Sequence, residues 1–275
     1  MSTPYAITGP ALISFSGGRT SAYMLKQMLD AAGGAFEHDV RVCFANTGKE
    51  REETLRFVHE CQVRWGVPIH WLEWRPMPAR FEEVTYETAD RTGAPFEGLI
   101  DLRGRLPNPL QRFCSRELKV EPIKAFCRSI GWDHWQNVIG LRADETRRVR
   151  NKLAENDNGG HRWKSVMPLH SAGVTRDDVM EFWAEQDFDL GLQPYEGNCD
   201  LCFMKGSRIL QRIIRDDPSR AQWWIEQESG GNRFERGRSY EVMASDVERQ
   251  PLLRLLDPDQ EYDAECGTWC AGEAA

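Results

Sequence analysis

Ser14-Phe15-Ser16-Gly17-Gly18-Arg19-Thr20-Ser21 sets two glycines between an apolar run and a helix-forming stretch, with hydroxyls on both sides. At such a turn the backbone N–H groups of a helix start converge with hydroxyl donors, which suits an anion. The string lacks the Gly-Lys-Ser/Thr spacing of a P-loop and the third glycine of a dinucleotide fingerprint. An ordinary strand-to-helix turn carries the same residue types, so these residues alone leave both readings open. A second chemistry lies in Gly197-Asn198-Cys199-Asp200-Leu201-Cys202, a C-x-x-C. No second C-x-x-C and no nearby His pair complete a zinc ribbon, and the aromatic-Cys-Gly-Pro run of a thioredoxin dithiol is missing. Two more thiols stand in Glu265-Cys266-Gly267-Thr268-Trp269-Cys270, whereas Cys43, Cys61 and Cys127 occupy apolar positions and read as structural.

Charge is concentrated too. Between Arg103 and Lys152 twelve Lys or Arg stand against five acids, a net of +7 inside a chain of formal charge -8. Lys124, Arg128 and Lys152 read as a solvated charged face. Arg142 differs, because it falls just past a predicted strand, at the carboxyl end where open α/β sheets bind ligands. Arg147 and Arg148 come second. An acidic chain with one basic stretch fits a local anion site better than a long nucleic-acid track.

The elements that must position these groups follow from periodicity. Residues 11–16 read as a strand and 20–32 as a helix; 39–45 as a buried strand, 50–65 as an amphipathic helix and 68–74 as a third strand. Such alternation predicts a parallel sheet wrapped by helices. Five prolines and several glycines in 76–113 predict an irregular insertion. A helix over 117–129, a strand over 137–141, a capping box at Thr175 to Asp178 opening a helix to about 186, and helices over 207–215, 219–228 and 240–250 complete the reading. The ten tryptophans mostly fall at apolar positions and are expected in the core. No apolar run approaches the roughly 18 residues of a membrane span, and the first ten residues show no export signal, so a soluble cytoplasmic protein is expected. In that compartment eight cysteines suit metal or redox chemistry better than disulfides.

Several strings, taken in order, resemble the phosphoadenosine phosphosulfate (PAPS) reductase family of the PP-loop adenine-nucleotide α-hydrolase superfamily. Ser16-Gly17-Gly18-Arg19-Thr20-Ser21 resembles the PP-loop, and Asn46-Thr47-Gly48 with Glu53-Thr54 the Asp-Thr-Gly…Glu-Thr segment. Cys114…Lys119-Val120-Glu121-Pro122 is similar to the Cys-Cys…Lys-Val-x-Pro segment, and Gly140-Leu141-Arg142-Ala143-Asp144-Glu145 to Gly-x-Arg-x-Asp-Glu. Pro168-Leu169 and Asp178-Val179 follow in register, so the resemblance spans roughly residues 11–205. Two residues depart from it. Arg19 replaces a frequent Lys, and Thr20 replaces an Asp that in ATP pyrophosphatases can approach Mg²⁺.

The resemblance implies a Rossmann-like α/β fold of PP-loop type, with residues 1–205 as the nucleotide-binding domain and 206–275 as a helical extension ending in the cysteine tail. It implies an adenine nucleotide, PAPS or ATP with Mg²⁺, with phosphates on Ser16, Gly17, Gly18, Arg19, Thr20 and Ser21. Asn46, Thr47 and Gly48 would border the adenosine, and Arg142 would neutralise the anionic end. It further implies a [4Fe–4S] cluster on Cys114, Cys199, Cys202 and one tail cysteine. With Cys266 as the catalytic nucleophile that yields sulfite to a thioredoxin-type reductant, Cys270 is the fourth ligand; with Cys266 as ligand, Cys270 is free. Two rivals remain: ATP α-phosphate cleavage coupled to sulfur transfer onto a nucleic acid, and a non-catalytic nucleotide-binding accessory of the kind found in phages and beside type IV CRISPR loci.

Overall fold

The computed structural model describes residues 3–37 and 39–249. β1 (Ala11–Ser14), α1 (Arg19–Ala31), β2 (Val40–Asn46), α2 (Glu52–Trp65) and β3 (Ile69–Trp74) form the expected alternating units. β4 (Phe81–Val84), α3 (Ala94–Arg103) and the short α4 (Phe113–Ser115) follow, the last running through a π-helical turn, Arg116–Val120, into α5 (Glu121–Ser129). Then come β5 (Trp135–Val138), α6 (Thr146–Asn158), β6 (Trp163–Val166), α7 (Pro168–Ser171) and α8 (Arg176–Ala184). The remaining elements are α9 (Ser207–Asp216), a 3₁₀ turn (Pro218–Arg220), α10 (Ala221–Glu228) and α11 (Tyr240–Arg249).

The sheet order is β4-β3-β2-β1-β5-β6, with β4 antiparallel to β3 and the other pairs parallel. Strand alternation separates two apolar layers. Ile13, Val42, Phe44 and Trp71 face α1, α2 and α8, while Leu12, Cys43, Ala45 and Leu72 face Ile123, Phe126 and Cys127 of α5. A further apolar cluster joins α3 and Leu118 to Leu201, Phe203 and the helices beyond residue 206, centred on the buried Trp224. No helix among the described residues is long and apolar enough to cross a membrane.

Several sequence expectations change here. The segment expected to be irregular contains β4 and α3; Pro95 lies in the first turn of α3, where no N–H partner is needed. β5 ends at Val138 rather than 141, because the backbone turns there, Leu141 N donating to Ile139 O, and so delivers Arg142 across the sheet edge. α6 and β6 were not expected: α6 buries only Val149 and Lys152 and so shows almost no apolar face. Lys152 is therefore not part of a solvated face. It is buried, with its ammonium 2.6 Å from Glu155. The capping box at Thr175 is present, Thr175 N donating to Asp178 Oδ2 at 2.7 Å.

Candidate nucleotide site

From β1 the chain winds outward one way through β2 and β3, and β5 lies on the other side of β1. The carboxyl ends of β1 and β5 therefore form the point where the winding direction reverses, the place where open α/β sheets leave a crevice for ligands. The glycine turn leaves β1 there and the Arg142 loop leaves β5 beside it.

Gly17 has φ +80°, and a Cβ on it would stand 2.7 Å from Thr54 Cγ2 and 3.0 Å from the Phe44 ring. Only glycine fits this turn. Gly18 then starts α1 with no side chain capping it and no acid in the first turn, leaving helix-start N–H groups for an anion. Ser16 Oγ lies 2.9 Å from Ser21 Oγ, and Ser21 Oγ donates to Gly18 O at 2.9 Å. Arg142, buried, donates from Nη1 to Thr20 Oγ1 at 3.1 Å. Its Nε donates to Asp144 at 3.0 Å, and its backbone N–H donates to Glu145 Oε2 at 2.9 Å. Gly140 permits this approach, since a Cβ there would come within 3.3 Å of Ser21 Cα. The structure thus gathers Ser16, Gly17, Gly18, Thr20, Ser21 and Arg142.

The Arg19 guanidinium does not join them. It forms a two-pronged pair with Asp189, Nε to Oδ1 at 2.7 Å and Nη2 to Oδ2 at 2.5 Å. Burial pushes the Asp189 carboxyl up, and the Arg19 hydrogen bond and charge overcome it, leaving the group below its ordinary value. Asn46 and Thr47 are likewise occupied. Asn46 Nδ2 donates to Glu73 Oε1 at 2.7 Å and to Asp90 O at 2.8 Å, while Thr47 gives both its N–H and its hydroxyl to Glu50 Oε2 at 2.7 Å. These side chains shape the turn after β2, in which Gly48 has φ +79° and space for no Cβ.

The C-x-x-C loop is strapped against both turns. Asn198 Nδ2 donates to Ser16 O at 2.8 Å, Arg51 N to Asn198 O at 2.8 Å and Asp200 N to Lys49 O at 2.9 Å. Arg220 braces the loop from α10's side, donating to Glu196 at 2.8 Å and to Asp200 at 2.6 Å. The hydrogen bond with Cys202 and then burial push the Cys199 thiol well above its ordinary value; Glu50 adds to this and Lys119, whose Nζ is 3.1 Å from Glu50 Oε1, opposes it. Burial raises Cys43 and Cys61 as well, and Cys127 to about 12, so these three are inert core thiols as expected.

Cys114 borders the apolar cluster that contains Leu201 and Phe203. Among the described residues no group of three or more His, Cys, Asp or Glu side chains is placed to hold a metal. Cys199 and Cys202 are hydrogen-bonded neighbours, and with Cys114 the described residues hold three of the four thiolates that a [4Fe–4S] cluster requires, so they do not by themselves complete one. Cys266 and Cys270 lie outside the described residues. Asn198, Glu50 and Asp189 were not singled out in the sequence; position next to Cys199, and three residues past Thr47, were the available signals for the first two.

A family model for the phosphoadenosine phosphosulfate reductase domain matches residues 10–191, and the chain belongs to that family. Its relatives include the nin region protein ORF290 of Escherichia phage lambda, 30% identical over 214 residues, which cover 75% of this chain and 70% of that protein. Protein MJ0066 of Methanocaldococcus jannaschii is 29% identical over 140 residues, 51% of this chain but only 24% of that longer protein. Among solved structures, the U34-tRNA thiolase NcsA from Methanococcus maripaludis with its [4Fe–4S] cluster aligns with TM-score 0.42 and 13% identity over 87% of this chain and 71% of that chain.

Proposed function

We propose that this chain is a PP-loop enzyme that binds an adenine nucleotide with its phosphates at Ser16 to Ser21 and Arg142, and acts on it with thiol chemistry. One arrangement carries the reading: hydroxyls, uncapped helix-start N–H groups and a buried arginine converge at the winding reversal, and Asn198 ties the dithiol loop to Ser16. The leading substrate is a sulfonucleotide. A thiolate, assigned to Cys266, attacks the sulfur; the S–O bond breaks, and the nucleotide leaves with the bond's electron pair on its phosphate oxygen. A thioredoxin-type dithiol then attacks the resulting S-sulfocysteine, is oxidised to a disulfide and releases sulfite. Arg142 would hold the anionic end in place and offset charge gathering on the departing phosphate.

Asp144 favours a second reading. Its side chain, 40% exposed beside Arg142, supplies at the anionic end the carboxylate that Thr20 lacks, which suits Mg²⁺ and cleavage at the ATP α-phosphate. Parallel incubations, one with PAPS and reduced thioredoxin and one with ATP and Mg²⁺, separate the two. Sulfite release abolished by Cys266→Ser supports the leading reading; pyrophosphate from ATP without sulfite supports the second; tight nucleotide binding without turnover defeats both and leaves an accessory role. A [4Fe–4S] cluster on Cys114, Cys199, Cys202 and Cys270 is a separable part of the proposal. Iron and acid-labile sulfide in anaerobically purified protein support it, and protein free of both removes it.

A further inference from the structure

Two cavities, lined by none of the residues gathered at the switch point, meet at Arg80. The first, about 260 Å³, is lined by Arg75, Arg80, Arg103 and Arg116, with Trp74 and the exposed Met77 and Leu102 beside them. The second, about 660 Å³, lies along α5 and is lined by Arg80, Lys124, Arg128 and Arg162. The lining acids are Glu117, paired with Arg103, and Glu121, 3.3 Å from Lys124. Arg75 is paired with Glu73 and Glu82, and Arg162 with Asp133 at 3.6 Å. Arg80, Arg116 and Arg128 are exposed and make no ion pair among the described residues. Arg80 also adopts φ +68°, a left-handed conformation unusual for a residue with a Cβ, within a turn closed by Arg75 N donating to Arg80 O at 3.1 Å.

We propose that this surface docks single-stranded nucleic acid. The chain as a whole carries -8, so the surface is a local reversal of sign that concentrates positive potential for a polyanion. Lys124 and Arg128 stand one helical turn apart on α5, and guanidinium groups match phosphate oxygens two at a time. The exposed apolar side chains of Met77 and Leu102, set between arginines and over the buried Trp74, offer an unpaired base a place to rest, which a duplex has no free base to use. No lining residue belongs to the nucleotide site, so the inference is independent of the proposed reaction.

Fluorescence anisotropy of the full chain with labelled single strands of about twelve nucleotides tests it, in about 50 and about 200 mM salt. Binding is expected to weaken with salt, log K falling by about 0.7 per decade of salt for each phosphate contacted. The Arg80→Glu/Arg128→Glu variant should lose at least tenfold in affinity, with an unchanged melting temperature and unchanged adenine-nucleotide binding, and Arg128→Lys should lose far less than Arg128→Glu. No binding at the lower salt, an unaltered affinity in the double variant, or equal or tighter binding of poly-glutamate or of a duplex would overturn the proposal.

Discussion

Arg142 sits between two acids of different character. Glu145 is buried, at 7% side-chain exposure, and accepts from the Arg142 backbone, while Asp144 is accessible enough to yield its place to a phosphate. Arg142→Ala removes the cation nearest the hydroxyls, and hydrogen bonds to charged groups contribute about 1.5–3 kcal/mol. Calorimetry should therefore show adenine-nucleotide affinity down by at least tenfold; an unchanged affinity would remove Arg142 from the site. Gly17→Ala should cost about 1–3 kcal/mol in urea unfolding, because φ +80° and the Thr54 methyl both resist a Cβ. A wild-type midpoint would show that the turn relaxes freely. Asp189 predicts a pH effect. Its folded-state pKa is depressed, so the stability its pair with Arg19 contributes is present above the ordinary carboxylate value of about 3.9 and is lost as pH falls through the folded value. Asp189→Asn should flatten the acid limb of the stability profile, and an identical limb would mean the pair is energetically idle.

Among the elements, the C-x-x-C loop has little regular structure and is held by what it touches. Asn198→Ala removes its bond to Ser16 O, and a freed loop should weaken nucleotide binding several-fold and speed thiol labelling of Cys199 and Cys202. Equal labelling rates would show that the straps at Arg51 and Lys49 suffice. How legible these elements were in sequence depends on how local their causes are. The capping box at Thr175 is closed by a partner three residues on, and the glycine turn carries its hydroxyls and glycines within six residues, so both were readable although the Thr54 and Phe44 contacts that require Gly17 are remote. α3 was obscured because its proline and flanking glycines resemble a loop, although Pro95 marks a helix start. The partners that define the site's walls are remote: Arg19 meets Asp189 and Ser16 meets Asn198 across 170 and 182 residues, and no local pattern announces such contacts. Arg19 accordingly read as a phosphate ligand, while its guanidinium is held by a carboxylate.

At the scale of the molecule, the helices beyond residue 206 are bound to the sheet's ligand-bearing edge by apolar packing around Trp224 and by the ion network of Arg220 with Glu196 and Asp200. All three side chains are largely buried, so Arg220→Ala leaves two carboxylates without their main partner and should cost about 3–5 kcal/mol. Thermal unfolding within a degree of wild type would show that Arg51 alone compensates. The charge balance has the same two-level character, an acidic whole of net -8 with a cluster of basic side chains along the α5 side. The measurement that tests the central claim most directly is a crystal structure with an adenine nucleotide bound. The account predicts phosphate oxygens within hydrogen-bond distance of the Gly17 to Ser21 backbone and of Arg142, with adenosine beside Gly48. Phosphates bound elsewhere, or no binding at millimolar nucleotide, would contradict it.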